Sequence, residues 1–517
     1  MRKIWNLTLN EWIKISKKTS ILVIASLMVV AVTGLCAIMR ATLRDNTDRP
    51  EIADEKNWAM DSMREYLGVM ETRYGELEIE LDGANEAEEA AIRAEMAYLA
   101  DEIDMYESAL AYEINLMSGS NYLSDLLRER RERTAELTLL REIPEAMRTA
   151  EQQDRLEEIE ALLPRYEPIL SGHDFAAYIA LLNDRIRADE TLDEAERQRQ
   201  IETNDMWLRL DPEGKDAEGR TYKGIRESIM QVQNYRRSLV DNLDYTGYAA
   251  ALPMTPERRS EVENELAVLV YKLENGMSTS RYESSPADTA ISAMTGVGLF
   301  MVVLLMTILA GSSISNEIST GSIKSLIISP ARRWKIYTAK LVSLLSAGLL
   351  MTLLLYGIAM LDHGIFFGFG AGQPYVYAHS GTAGEMGFHL YQFTRLWVQF
   401  LDVAVYMCLA FMLSILTRNT AVSVGLSIAV YFSSSVIRAF LTLYRGHEWV
   451  RFIPFSNMGL AARMFPYDTS QQAIGIVFGS GGVEGAPSVG FSLVYLAVLV
   501  FCMGFVGLDS FCRRDIK

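Results

Sequence analysis

Apolar positions along this chain follow two spacings. In six stretches they are nearly continuous: 21–39, 291–312, 336–361, 396–416, 421–437 and 489–508. A run of about 18 or more apolar residues can cross a bilayer as an α-helix, so the pattern predicts six membrane spans. The fifth run is the shortest and is rich in serine. Between the first two runs the spacing changes to alternating threes and fours. Met60, Met63, Leu67, Met70, Tyr74, Leu77 and Leu81 form one series, and Ile92, Met96, Leu99, Ile103, Tyr106 and Leu110 form a second. Asp82-Gly83 stands between them, which predicts an antiparallel coiled-coil hairpin.

Further periodic runs predict helices over 122–140, from Phe175 to Ile186, from Tyr222 to Leu239 after Gly219, and from Val262 to Leu273. Thr191 with Glu194 has the spacing of a capping box. Thr255-Pro256 reads as an N-cap followed by proline at the first helical position, and Asn275-Gly276 as that helix's end. The fold class is therefore an all-α membrane protein. It has six transmembrane helices, an N-terminal interfacial helix, and a large helical, coiled-coil-containing extracytoplasmic domain between spans one and two.

Basic residues give the orientation. Arg2, Lys3, Lys14, Lys17 and Lys18 precede the first run, and cytoplasmic flanks carry the excess of Lys and Arg. Six crossings then place 313–335, 418–419 and the tail with Arg513, Arg514 and Lys517 inside, and 41–290, 362–394 and 441–488 outside. The divisions are an interfacial helix at 1–18, a first span at 19–40, an exterior domain at 41–290 and a five-span membrane domain at 291–517. Trp5, Leu9, Trp12 and Ile13 share one face of the first segment, as suits a helix lying in the interface. The first run is longer than a usual signal-peptide core and no A-x-A site precedes Arg40, which favours an uncleaved anchor. Localisation follows as the cell membrane, multi-pass, with both termini cytoplasmic.

Composition sharpens the division. The whole chain has a formal net charge of −17, yet 41–290 alone holds 56 of its 66 acids and only 29 of its 49 bases. So acidic an exterior argues against nucleic acid as a partner. The four cysteines, Cys36, Cys408, Cys502 and Cys512, lie in or beside spans. The exterior domain has no disulfide framework and must stand on its core.

Two groups of residues carry candidate chemistry. In the loop after the second span, Ile318, Ile323, Leu326 and Ile327 make an apolar stripe among the bases Lys324, Arg332, Arg333, Lys335 and Lys340, with Glu317 the one acid and Pro330 a breaker. Within the spans, Asp402 and Arg438 sit at comparable depth, with Arg395 at the outer mouth of the fourth. An ionisable group inside a membrane is a functional candidate with a partner to be named. The expectation is an Asp402–Arg438 pair or a triad with Arg395; an interhelical staple remains the alternative. His363, His379, His389 and His447 all fall in outer loops at spacings that match no metal motif. Pro454 and Pro466 bracket about one amphipathic helix, re-entrant or on the surface, and 364–372 and 479–485 read as flexible glycine-rich loops. No nucleotide-binding G-x-x-x-x-G-K-[ST], zinc-protease helix or G-x-S-x-G elbow is present. The chain has no catalytic residues of its own and no cofactor of its own.

The order of these parts resembles the permease subunits of the type-two family of bacterial ABC exporters. Glu317, then Gly321-Ser322-Ile323-Lys324, Ser329-Pro330, Arg333 and Lys340 are similar to that family's E-x-x-x-G-[ST]-I-[KR], P-x-x-[RK] and K pattern. The ending FCRRDIK at 511–517 is similar as well. The resemblance covers the N-terminal helix and the membrane half. It implies a coupling loop at 313–335 in which Glu317, Ile318, Gly321, Ile323, Lys324, Pro330, Arg332 and Arg333 dock on an ABC ATPase subunit. It further implies ATP and Mg held by that partner, a second permease copy, identical or related, and outward movement of a lipid, peptide or antibiotic-like amphiphile. Two readings of other classes compete. One is a membrane-anchored sensor or scaffold whose exterior coiled coil binds a partner. The other is a secondary transporter relaying ions through Asp402, which needs an internal repeat of spans that the chain does not show.

Overall fold

Helices account for most of the chain. The computed structural model describes residues 2–42, 53–117, 121–218, 224–245, 252–279, 286–322, 332–442, 444, 447–468 and 487–513. Two compact units result: Asp45–Glu283, and Met1–Arg44 together with Ser284–Lys517. In chain order α1 (Arg2–Ser16) and α2 (Thr19–Thr42) lead into α3 (Ala53–Leu81), α4 (Glu86–Ala111), α5 (Tyr122–Glu142), α6 (Ala150–Gly172), α7 (Phe175–Ala188), α8 (Glu194–Leu210) and α9 (Ile225–Asp241). The short strands β1 (Leu243–Asp244) and β2 (Leu252–Pro253) and then α10 (Pro256–Glu274) follow. The chain continues through α11 (Pro286–Ser313), α12 (Ser315–Ser319), α13 (Arg333–Phe367), β3 (Tyr375–His379), β4 (Thr382–Met386), α14 (Phe388–Thr417), α15 (Thr420–Thr442), α16 (Leu460–Met464) and α17 (Val489–Arg513).

In the acidic unit, α3 and α4 form an antiparallel pair. Tyr66 meets Tyr106 and Arg73 bridges to Glu95, so one number falls as the other rises. The base of the pair is the buried end: Met60, Met63, Met105 and Ala109 join the core around Tyr122, Phe175 and Trp207. Tyr122 packs its ring 5.1 Å from Phe175 and 5.0 Å from Tyr178. Asn121 starts α5 by accepting from the Ser124 N–H at 2.8 Å, while the Ser124 hydroxyl accepts from the Asn121 N–H. The helix α6 went unread in the sequence because Pro164 and Pro168 lie within it. The cap of α8 is Asp193, which accepts from the Glu196 N–H at 2.7 Å; Thr191 instead turns its hydroxyl to Asp189. Thr255 caps α10 with Pro256 behind it, as its sequence implies. Tyr222 lies outside the described residues.

In the apolar unit, α2, α11, α13, α14, α15 and α17 are each long and apolar enough to cross a membrane. The most buried of them, α11, packs on α2, α13, α14 and α15. Gly311 makes one close crossing. A Cβ there would come within 2.9 Å of Val424 Cγ2, and the Ser423 hydroxyl donates to Gly311 O at 2.7 Å. The second span then breaks at Ile314. Ser414 of α14 accepts from the Ser315 N–H at 2.9 Å and from the Ile314 N–H at 3.2 Å, which turns the chain into α12. Helix breaks persist where a side chain enters the backbone ladder in this way.

Two loop expectations change. The stretch 364–372 is not wholly a flexible loop: α13 extends through Gly364 to Phe367, and the β3–β4 hairpin follows at Tyr375–Met386. Ser380 and Gly381 both have positive φ (51° and 74°), the two-residue turn that matches the twist of a hairpin. The proline-bracketed stretch is not one amphipathic helix. Glu448–Phe452 and Pro454–Ser456 are 3₁₀ turns and α16 is five residues long. Ser456, Asn457 and Leu460 are fully buried, and the Asn457 amide donates to Arg451 O and Ile453 O at 2.7 and 2.9 Å. The stretch 479–485 lies outside the described residues.

Candidate functional site

Lys340 stands in the third turn of α13 with only 2% of its surface exposed. An ammonium buried this deeply needs anions and hydrogen-bond acceptors around it. It donates to Glu317 Oε1 of α12 at 2.8 Å and to Glu11 Oε2 of α1 at 2.9 Å. Lys14, one turn along α1, donates to Glu11 Oε1 at 2.8 Å and lies 3.6 Å from Glu317 Oε1. Two lysines and two glutamates thus alternate in one cluster. Burial tends to raise the Glu11 carboxyl, but Lys340 and Lys14 outweigh it and hold the group below the ordinary carboxylate range. Burial likewise opposes the Lys14 charge, and Glu11 and Glu317 more than restore it, leaving Lys14 raised. Lys18 is lowered, by burial first and by repulsion from Lys340 second.

Packing reinforces the cluster. Trp12 Nε1 donates to Ser346 Oγ at 2.8 Å, and Leu7, Trp12 and Ile15 pack on the helical core. Trp12 therefore belongs to the inward face of α1, not to the outer face with Trp5, Leu9 and Ile13, which are 70%, 52% and 45% exposed. The sequence reading missed Glu11. Its signal was plain: it is the one acid before Asp45, set inside a run of bases.

The other loop residues divide. Ile318 packs against the core, and Gly321 turns the chain with a φ of 72°. Arg333 Nη1 donates to Cys512 O at 3.2 Å, where a cation complements the carbonyl end of α17. Below it Tyr337 donates to Gly504 O at 2.7 Å. Arg332 is exposed at the start of α13. Ile323, Lys324 and Pro330 lie outside the described residues.

The expected triad of Asp402, Arg438 and Arg395 separates into two arrangements. Asp402 accepts from the Gly459 N–H, 3.1 Å from Oδ2, at the left-handed residue (φ 71°) that precedes α16. Arg438 and Arg463 are the cations whose charge reaches it, and Arg438 Nε donates to Ser434 O. Arg395 is elsewhere. It pairs with Asp468 at 3.6 Å, and Asp468 also accepts the Tyr391 hydroxyl. Arg463, unnoticed in the sequence, donates to Pro487 O, Ser492 Oγ and Asn457 O and so fastens the broken segment to α17. His363 stacks on Phe388, 5.0 Å between centroids, and among the described residues no cluster of His, Cys, Asp or Glu has the makings of a metal site.

Residues 261–517 match a family described as proteins of unknown function (DUF2705). The chain is 28% identical over 239 residues to the uncharacterized protein YhcI of Bacillus subtilis (strain 168), which covers 45% of this chain and 71% of that protein. It is 24% identical over 213 residues to the uncharacterized membrane protein YdbK of the same organism, covering 41% of this chain and 77% of YdbK. With six apolar helices of spanning length, the likeness to YdbK identifies a membrane protein. Glu317, Lys340, Asp402 and Arg395 fall inside the matched stretch; Glu11 does not.

Proposed function

We propose that this chain is the permease subunit of an ABC exporter, moving an amphiphilic substrate outward with ATP and Mg bound by a separate ATPase. The observation that carries the reading is the burial of Lys340 between Glu11 and Glu317. It ties the short helix after the second span, the N-terminal interfacial helix and the third span into one body. A push on α12 is thereby passed to α13 at once, because breaking the contact strands buried charge. On the same short helix and the turn after it, Asn316, Ser319, Thr320 and Gly321 are exposed, a polar surface for an ATPase to meet. The sequence resemblance supplies the partner class and a second permease copy, and the basic flanks supply the cytoplasmic placement of both termini. The α3–α4 pair is then an extracytoplasmic coiled-coil arm.

Co-purification with an ATPase encoded beside this chain tests the reading. Thr320→Trp adds bulk to the exposed surface without touching the charge cluster, and Glu317→Gln weakens the cluster itself. Both are expected to reduce transport-coupled ATP hydrolysis, Thr320→Trp by loss of association and Glu317→Gln with association kept. Unchanged association and unchanged coupled hydrolysis in both variants would sink the assignment.

A further inference from the structure

One face of α14 is polar along its predicted outer half. Gln392, Arg395, Gln399 and Asp402 recur at intervals of three, four and three residues, the spacing of a single helical stripe. Gln392, Arg395 and Gln399 are 5%, 4% and 5% exposed, so the stripe faces the bundle and not lipid. Buried polar atoms in folded proteins are hydrogen-bonded with few exceptions. Here Arg395 Nε, Arg395 Nη1 and Gln399 Oε1 are sealed from solvent and have no hydrogen-bond partner in the protein. The nearby Asp468 balances the guanidinium charge from 3.6 Å, too far for a hydrogen bond, and is itself engaged by Tyr391.

We propose that Arg395 and Gln399 form a binding site for the phosphate headgroup of a membrane amphiphile. The guanidinium N–H groups would take phosphate oxygens, a geometry for which arginine is suited. One turn deeper, Gln399 Oε1 would accept a headgroup hydroxyl or amine hydrogen. Depth agrees with this ligand. Arg395 directly precedes the apolar run 396–416, which at about 1.5 Å per residue is about 31 Å long, the thickness of a hydrocarbon core of about 30 Å. The guanidinium therefore lies at the outer boundary of that core, next to the headgroups.

The test uses the full chain alone in nanodiscs of an uncharged glycolipid that carries no phosphate, so the bulk lipid does not compete and the outcome is independent of any ATPase. Short-chain phosphatidylglycerol, the matching diacylglycerol and inorganic phosphate are titrated separately. Phosphatidylglycerol is expected to bind saturably and diacylglycerol not at all. Arg395→Gln should weaken phosphatidylglycerol binding by about tenfold or more, the loss of one good charged contact. Because that variant leaves Asp468 without its cation, Gln399→Glu provides a second reading. Its carboxylate, one turn from Arg395, occupies the guanidinium, so binding should fall while thermal stability rises. Binding of inorganic phosphate with the same dependence on both residues would keep the site and assign it a soluble anion. Equal affinity in wild type and both variants, or saturable binding of no phosphate probe, would overturn the proposal and leave water as the occupant.

Discussion

Lys340 Nζ lies 2.8 Å from Glu317 Oε1 across the break between the second and third spans. Glu11 completes the contact from the other side at 2.9 Å. The value of such a cluster lies in its partners being present together. Removing one member of a buried ion pair costs about 3–5 kcal/mol, whereas replacing all members with neutral groups can cost nothing. Lys340→Met should therefore lower the thermal unfolding temperature sharply. Lys340→Met combined with Glu11→Gln and Glu317→Gln should recover much of the loss. If the triple variant is no more stable than the single one, the cluster is not the coupled unit described.

The same cluster sets an acid limit. The Glu11 carboxyl is held below its ordinary value of 4.5 by Lys340 and Lys14 against burial. A depressed carboxylate stabilises the fold above its unfolded pKa, and that contribution is lost as pH falls through the folded pKa. Unfolding temperature should thus be level above about pH 5 and decline below it, and Glu11→Gln should flatten the decline. Lys14, raised by Glu11 and Glu317 against burial, works in the opposite sense. Its contribution is full below the ordinary 10.5 and is lost as pH rises through the folded value.

At the crossing of α11 and α15 the backbone itself is in contact. Gly311→Leu must displace Val424, whose Cα stands 3.3 Å from the position of a Cβ. Overpacking of this kind costs about 1–3 kcal/mol. Ser423→Ala removes the hydroxyl shared between Gly311 O and Thr420 O, about 0.5–1.5 kcal/mol. Denaturation in detergent should rank the two variants in that order.

The acidic unit has its own core around Tyr122, Phe175 and Trp207 and no cysteine. Residues 45–283 expressed alone should be soluble and helical and should unfold in one cooperative step, followed by circular dichroism. Asn121→Ala should lower its stability by about 0.5–2 kcal/mol through loss of the cap on α5. A non-cooperative melt would show that this unit needs the rest of the chain.

Local rules accounted for the long elements. Continuous apolar runs marked all six helices long and apolar enough to cross a membrane, with ends off by as much as eight residues at the start of α14, because that property depends on run length alone. Spacing of three and four marked α3, α4, α5, α7 and α10. Where local signals conflicted, they misled. The prolines hid α6, since its amphipathic face outweighs two missing N–H donors. Ser380-Gly381 was a readable turn, but the glycines around it drew attention to flexibility instead of to pairing.

By itself, then, the sequence determined which stretches are apolar, which are helical, and that Glu317 and Lys340 stand on either side of a break. Only the tertiary structure decided the partners. Glu11 reaches Lys340 across 329 residues, Gly459 rather than Arg395 meets Asp402, and Arg395 is left beside Asp468 with its Nε and Nη1 making no hydrogen bond in the protein. Helix formation is governed by neighbours three and four residues away. Charge pairing inside a membrane is governed by which helix faces touch, and that is fixed by how all six helices fill space at once.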